Sequence, residues 1–132
     1  MNSWTDLLID NRKIAAIFTS EEPSLCGVDL HDIVFHRDRP KITLRFNVVS
    51  YPSEPPKKWV VQKFNTVQLQ LTALDVKEVK LSGWEKTNYV LDIKISAGRG
   101  FVTISAQDDI FYLYIKSAFL DISSITEYTM QK

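Results

Sequence analysis

The stretch from Thr66 to Ala73 constrains the fold of this chain most, because polar and apolar side chains alternate strictly along it. A period of two places the apolar side chains on one face and the polar side chains on the other, as in a half-buried antiparallel strand. Similar alternation runs through Lys41–Val49 and Tyr89–Ile95. Repeated strands of this kind predict a sheet with one face on a core.

The rest of the chain divides into further strands and connections. Leu30–His36 and Lys41–Val49 flank a polar turn and predict a hairpin. Leu74-Asp75 separates the central strand from a second extended run that ends at Gly83-Trp84. Three prolines in Tyr51–Lys58 predict an exposed loop or edge crossing. Ile110–Ile115 is apolar on both faces, which predicts a strand covered on both sides, before a last strand over Phe119–Tyr128.

Helices are expected only near the start of the chain. Ser3 can cap a first short helix that contains Trp4, and Asn11 can cap a second one that contains Ile14 and Phe18. The predicted fold class is therefore α+β and mostly β. We expect N-terminal short helices packed on a curled antiparallel sheet or sandwich of about seven to eight strands.

Composition sets ordinary bounds. The 132 residues, 45% of them hydrophobic, suit one domain over residues 1–132. Cys26 is the only cysteine, so no intramolecular disulfide can form, as is usual in a reducing compartment. No run reaches the roughly 20 apolar residues of a membrane span, and the start Met1–Lys13 lacks the features of a signal peptide. We therefore expect a cytoplasmic protein that is not bound to a membrane.

Charge argues against nucleic acid as a partner. Sixteen basic and sixteen acidic side chains cancel, so the molecule as a whole does not attract polyanions. The charges are uneven along the chain, since acids outnumber bases seven to three over Met1–Asp38 and bases lead eleven to five over Arg39–Arg99.

Few residues could carry chemistry, and ordinary structural roles are favoured for each of them. His31 and His36 are five positions apart and point to opposite faces of a regular strand, and Asp29 with His31 supplies too few ligands for zinc. Cys26 could be a nucleophile with a histidine base, but a packed thiol is the favoured interpretation. Asp108-Asp109 is typical of a turn. We expect no catalytic residue, no metal and no cofactor.

Three motifs carry a resemblance to a known family. They are PP-x-x-W at Pro55–Trp59, FN-x-V-x-L-x-L at Phe64–Leu71, and V-x-L-x-GW at Val79–Trp84. In this order they resemble the immunity protein 50 family of bacterial polymorphic toxin systems, and the likeness extends over most of the chain. The resemblance implies a non-enzymatic antidote, encoded beside a toxin, whose partner is the cognate toxin domain.

Two sets of side chains are predicted to contact that toxin. The first combines aromatic rings with lysines around the proline-rich loop: Tyr51, Lys57, Lys58, Trp59 and Lys63. The structural alternative is that Trp59 anchors the loop to the core and the lysines are merely solvated. The second set is acidic and includes Glu21, Glu22 and Asp32. It could meet a basic toxin, although a neutral chain lacks the strong charge that usually steers such pairs.

Two other functions stay open from the sequence. A small β-barrel or sandwich could bind a ligand in its mouth, and a deep apolar pocket would favour that function. An enzyme could assemble its side chains only in three dimensions, and a cleft that joins His31 or His36 to a carboxylate would favour catalysis.

Overall fold

The computed structural model describes residues 3–128. Met1 and Asn2, which belong to the segment predicted not to be a signal peptide, lie outside the described residues. The fold is mostly β with short helices, as predicted. In chain order its elements are a 3-10 helix at Trp4–Leu7, α1 at Arg12–Ile17, β1 at Val28–His36, β2 at Lys41–Val48, α2 at Lys57–Gln62, β3 at Thr66–Ser82, β4 at Val90–Leu91, β5 at Ile93–Gly98, β6 at Phe101–Gln107 and β7 at Tyr112–Tyr128.

All the strands form one antiparallel sheet in the order β4-β1-β2-β3-β7-β6-β5. The two outermost strands, β4 and β5, are consecutive in the chain and only Asp92 separates them. This short connection between opposite edges requires a strongly curled sheet. The sheet is nevertheless not closed into a barrel, so the prediction of a curled antiparallel sheet with about seven strands is confirmed.

The alternating strands bury the predicted faces. In β2 the side chains of Ile42, Leu44 and Phe46 are almost fully buried, whereas Thr43 and Arg45 between them are partly exposed. In β3, Leu69 and Leu71 are fully buried and pair with Phe46 and Leu44 across the sheet. Because the register places buried apolar residues of β2 opposite buried apolar residues of β3, the two strands share one continuous apolar face.

β3 and β7 form a ribbon of two long strands, each 17 residues long. The predicted interruption at Leu74-Asp75 is wrong, since β3 continues through it to Ser82. Asp75 has a positive φ of 60°, and the register against β7 shifts between Val76 and Glu78. A short polar side chain tolerates this conformation, so the chain bends at a bulge and keeps its pairing.

The buried side of the sheet changes along this ribbon. Leu113, Ile115 and Ser117 are buried in the first part of β7, and Leu120 and Ile122 are buried in the second part. Successive residues of a strand point to opposite faces, so the step from Ser117 to Leu120 moves the buried positions to the other face. The two ends of the sheet therefore expose opposite faces to solvent.

The N-terminal helices pack on the sheet as predicted, although their caps differ. Ser3 and Asn11 make no side-chain cap hydrogen bond. Instead, Asp10 Oδ1 accepts from the N–H of Arg12 at 3.0 Å. Ile14 of α1 is 2% exposed and belongs to the same cluster of buried side chains as the sheet.

Two other predictions about elements are wrong. Helices are not confined to the start, because α2 follows Pro56, whose fixed φ suits the entry to a helix. Ile110–Ile115 is not covered on both sides, because Ile110 lies before β7 with 52% of its surface exposed and Tyr112 keeps 37%. Tyr112 and Tyr114 lie on the face that remains open to solvent, whereas Phe111 is buried.

Candidate functional site

The predicted aromatic residues hold α2 against the core. Trp59 is 3% exposed, and its ring lies 6.1 Å from the ring of Tyr51 at an angle of 51°. The Tyr51 hydroxyl donates to the carbonyl oxygen of Phe64 at 2.6 Å. Burial, and secondarily the charge of Glu127, raises the pKa of Tyr51. The structural alternative for Trp59 therefore holds, since both rings fix the loop in place.

The outer side of α2 is exposed and apolar at its centre. Val60 and Val61 expose 62% and 76% of their surface, and Lys57 and Lys58 are exposed beside them. Lys63 ends the helix in a left-handed conformation with φ 59°. We call Lys57, Lys58, Val60 and Val61 the α2 surface.

The acidic set is divided by the structure. Glu21 is exposed and lines a small surface depression together with Glu22 and Tyr51, so these residues lie close together. Glu22 is engaged within the fold, because its Oε2 accepts from the Thr5 N–H at 3.1 Å and from the Thr5 hydroxyl at 2.8 Å. Glu22 thus connects the loop after α1 to the 3-10 helix.

Asp32 lies apart from them, on the exposed face of the first half of the sheet. Its Oδ2 accepts from Arg45 Nη2 at 2.7 Å and from Arg45 Nε at 2.8 Å. Arg45 also donates to Gln68, whose amide donates to Asn47 Oδ1 at 3.0 Å. Asn47 is 6% exposed, and its Nδ2 has no hydrogen-bond partner among the described residues. The side chains on this face mostly bind each other.

The exposed face at the other end of the sheet has a different composition. Strand pairing places Lys80, Tyr114, Ser105 and Lys94 in one row across β3, β7, β6 and β5. We call this row and its flanking side chains the Lys–Tyr face; the flanking members are Glu78, Lys116, Thr103 and Ser96 on one side and Ser82, Tyr112 and Gln107 on the other. An open depression of about 440 Å³ lies against Lys94, Tyr112 and Tyr114.

The sequence interpretation missed the Lys–Tyr face. One signal was available, since Tyr112, Tyr114 and Lys116 alternate with buried residues and must share a face. The neighbours of these residues on β3, β5 and β6 depend on register. Register between distant strands was not deducible from the spacing of residues.

Among the described residues, no hydrogen bond joins Cys26 to a histidine. Cys26 is exposed, so the expected packed thiol is wrong; Leu25 and Val28 beside it are buried in its place. A bulge occurs at His31, whose Nε2 lies 3.6 Å from Asp29 Oδ2. Within residues 3–128, no three His, Cys, Asp or Glu side chains are grouped to hold a metal ion.

The largest pKa shifts belong to carboxylates in turns. Hydrogen bonds from the N–H groups of Phe111 and Ile110, and from Lys86, lower the pKa of Asp108 to about 2. The Arg12 side chain and N–H lower the pKa of Asp10 to about 2 in the same way. Asp108 therefore closes the turn before β7, as the sequence indicated.

Comparisons with known proteins point to one family. The model of the family described as immunity protein 50 matches residues 10–128, nearly the whole chain. Comparison with curated proteins returns no match, and comparison with solved structures returns none. In the described part of the chain, no helix has both the length and the apolar character needed to cross a bilayer. The chain belongs to the immunity protein 50 family.

Proposed function

We propose that this chain is an immunity protein that binds a cognate toxin domain of a bacterial polymorphic toxin system and neutralises it by covering its surface. The observation that carries the proposal is the family match over residues 10–128. Binding of this kind needs a preformed surface and no catalytic group, and we propose no enzymatic role. A standard interface buries roughly 800 Å² on each partner, which this sheet can supply.

The α2 surface is the part of the predicted contact that we retain. Tyr51, Trp59 and Glu22 support the fold, and Asp32 is paired with Arg45. Lys57 and Lys58 remain exposed, and the structure adds Val60 and Val61. Glu21 is exposed too, but it lies beside Glu22 and Tyr51 and is not part of this surface. Exposed apolar residues beside flexible cations suit a contact with an apolar patch that has an acidic border.

Ligand binding inside a barrel is the less favoured function. That function needs a closed or deeply concave sheet, and this sheet is open. The depressions described above lie at the surface and have charged or hydroxyl-bearing side chains in their walls.

The proposal is tested by co-expression with the toxin domain encoded beside the gene. The wild-type chain should restore growth and co-purify with the toxin. The double substitution V60D/V61D should weaken binding at least tenfold, because it puts two carboxylates at the centre of an apolar contact. V34D/V49D, at two other exposed valines, is the matched control for the two added surface charges.

Failure of the wild-type chain to bind or rescue would refute the proposed function. Rescue by the wild type that V60D/V61D leaves intact would remove the α2 surface from the contact and leave the function standing.

A further inference from the structure

The Lys–Tyr face is a compact surface of defined shape. Its outer members in one row, Lys80 and Lys94, stand three strand spacings apart, or about 14 Å. Tyr112, Tyr114 and Lys116 extend the face along β7 by about the same length. These dimensions match the central part of a standard protein interface, where a few side chains dominate affinity.

The charge on this face is positive. It carries three lysines and the carboxylate of Glu78, which lies 3.5 Å from Lys80 Nζ. Asp92 also lines the depression beside Lys94, but its Oδ1 accepts a hydrogen bond from the N–H of Gly27. Within residues 3–128, neither Lys94 nor Lys116 has a carboxylate within ion-pair distance. Two ammonium groups are therefore available to acidic side chains of a partner, and two identical faces would repel each other. A second copy of this chain is thus a poor occupant.

The aromatic rings favour a protein partner over a nucleic acid. Lys116 Nζ lies 4.4 Å from the ring centre of Phe101, and Lys80 Nζ lies 5.7 Å from that of Tyr114. A lysine over a ring occupies the face on which a base would stack. Tyrosine hydroxyls and ammonium groups remain for hydrogen bonds to carboxylates, as at many protein interfaces.

We infer that the Lys–Tyr face receives an acidic region of the toxin domain. This inference rests on the proposed function, and it names the chemistry that the partner must present: carboxylates spaced to meet Lys94 and Lys116. The face lies toward the Ser82 end of β3, whereas α2 lies just before the Thr66 end. Substitutions in the Lys–Tyr face and in the α2 surface can therefore test the two contacts independently.

The test is the binding kinetics of the purified toxin domain with the full-length chain at 50 and 300 mM salt. K94E/K116E should lower the association rate at least tenfold at low salt, because opposite charges steer the encounter. K13E/R37E makes the same change in net charge at exposed positions outside the Lys–Tyr face, and should lower the rate less than threefold. Thermal unfolding of each variant shows whether the fold is kept.

Three results would count against the inference. Unchanged association of folded K94E/K116E would overturn it while the proposed function stands. An equal loss with K13E/R37E would also overturn it, because net charge alone would explain the effect. Tighter binding of a labelled 20-nucleotide single strand than of the toxin, lost in K94E/K116E, would assign the face to nucleic acid. Absence of any toxin binding by the wild type would instead refute the function itself.

Discussion

The α2 surface and the Lys–Tyr face are both exposed, but they are built in different ways. The α2 surface comes from one short helix whose one buried side chain, Trp59, reaches the core and contacts the ring of Tyr51. The Lys–Tyr face takes its side chains from four strands, and β6 and β7 are paired on both sides. A surface with one anchor can be lost locally, whereas a face fixed by strand pairing persists as long as the sheet does.

The largest expected effect tests the single anchor. Trp59→Ala should lower the free energy of unfolding by about 3–5 kcal/mol, because it empties a site that is 3% exposed. Urea unfolding measures this change. Limited trypsin digestion should show faster cleavage at Lys57 and Lys58 before strands β3 to β7 are cut. A loss below about 1 kcal/mol would mean that α2 has other anchors.

A smaller effect tests what supports the Lys–Tyr face. Gly83 has φ 76°, and a Cβ there would meet the carbonyl of Ile110. Beside it, Trp84, Tyr89 and Phe111 form a cluster of contacting rings. Gly83→Ala should therefore cost at least about 2 kcal/mol, from left-handed strain and from displacement of backbone.

Gly100→Ala is the matched control for this change. Gly100 has φ 80° and open space around it, so its substitution isolates the conformational cost of about 1–2 kcal/mol. Chemical denaturation of both variants gives the difference. Equal losses would show that the added methyl group at position 83 causes no extra cost beside Ile110.

The smallest effect concerns the lysines themselves. Lys116→Gln should lower the free energy of unfolding by about 0.5 kcal/mol, since it removes the cation from the ring of Phe101. Lys94→Gln should leave stability unchanged, because Lys94 is exposed. Thermal denaturation compares the two. A cost above about 2 kcal/mol for Lys94→Gln would make this lysine part of the fold rather than a free contact.

The sequence predicted those features that depend on local periodicity. Alternation identified the buried side chains of β2 and β3, such as Leu44 and Leu69. The family resemblance came from the tryptophan-containing motifs and is confirmed. These features hold because a strand with one apolar face can bury only that face.

The features that escaped prediction depend on contacts between distant segments. Asp75 looked like the end of a strand, yet pairing with β7 carries β3 through it. Lys57–Gln62 is too short to be stable as an isolated helix, and it forms where Trp59 can be buried. The Lys–Tyr face required the register of four strands, which no single segment contains.

The placement of Asp92 between β4 and β5 has a consequence for how the molecule comes apart. Asp92 Oδ1 accepts from the N–H of Gly27, and the N–H of Ile93 donates to the carbonyl of Leu25. The carbonyl of Tyr89 accepts from the N–H of Leu30, so this segment is held against β1 and the residues just before it. On its other flank the same segment continues into the pairing with β6. Neither edge strand, β4 or β5, can detach without disturbing the other. We therefore expect the two edges of the sheet to unfold cooperatively.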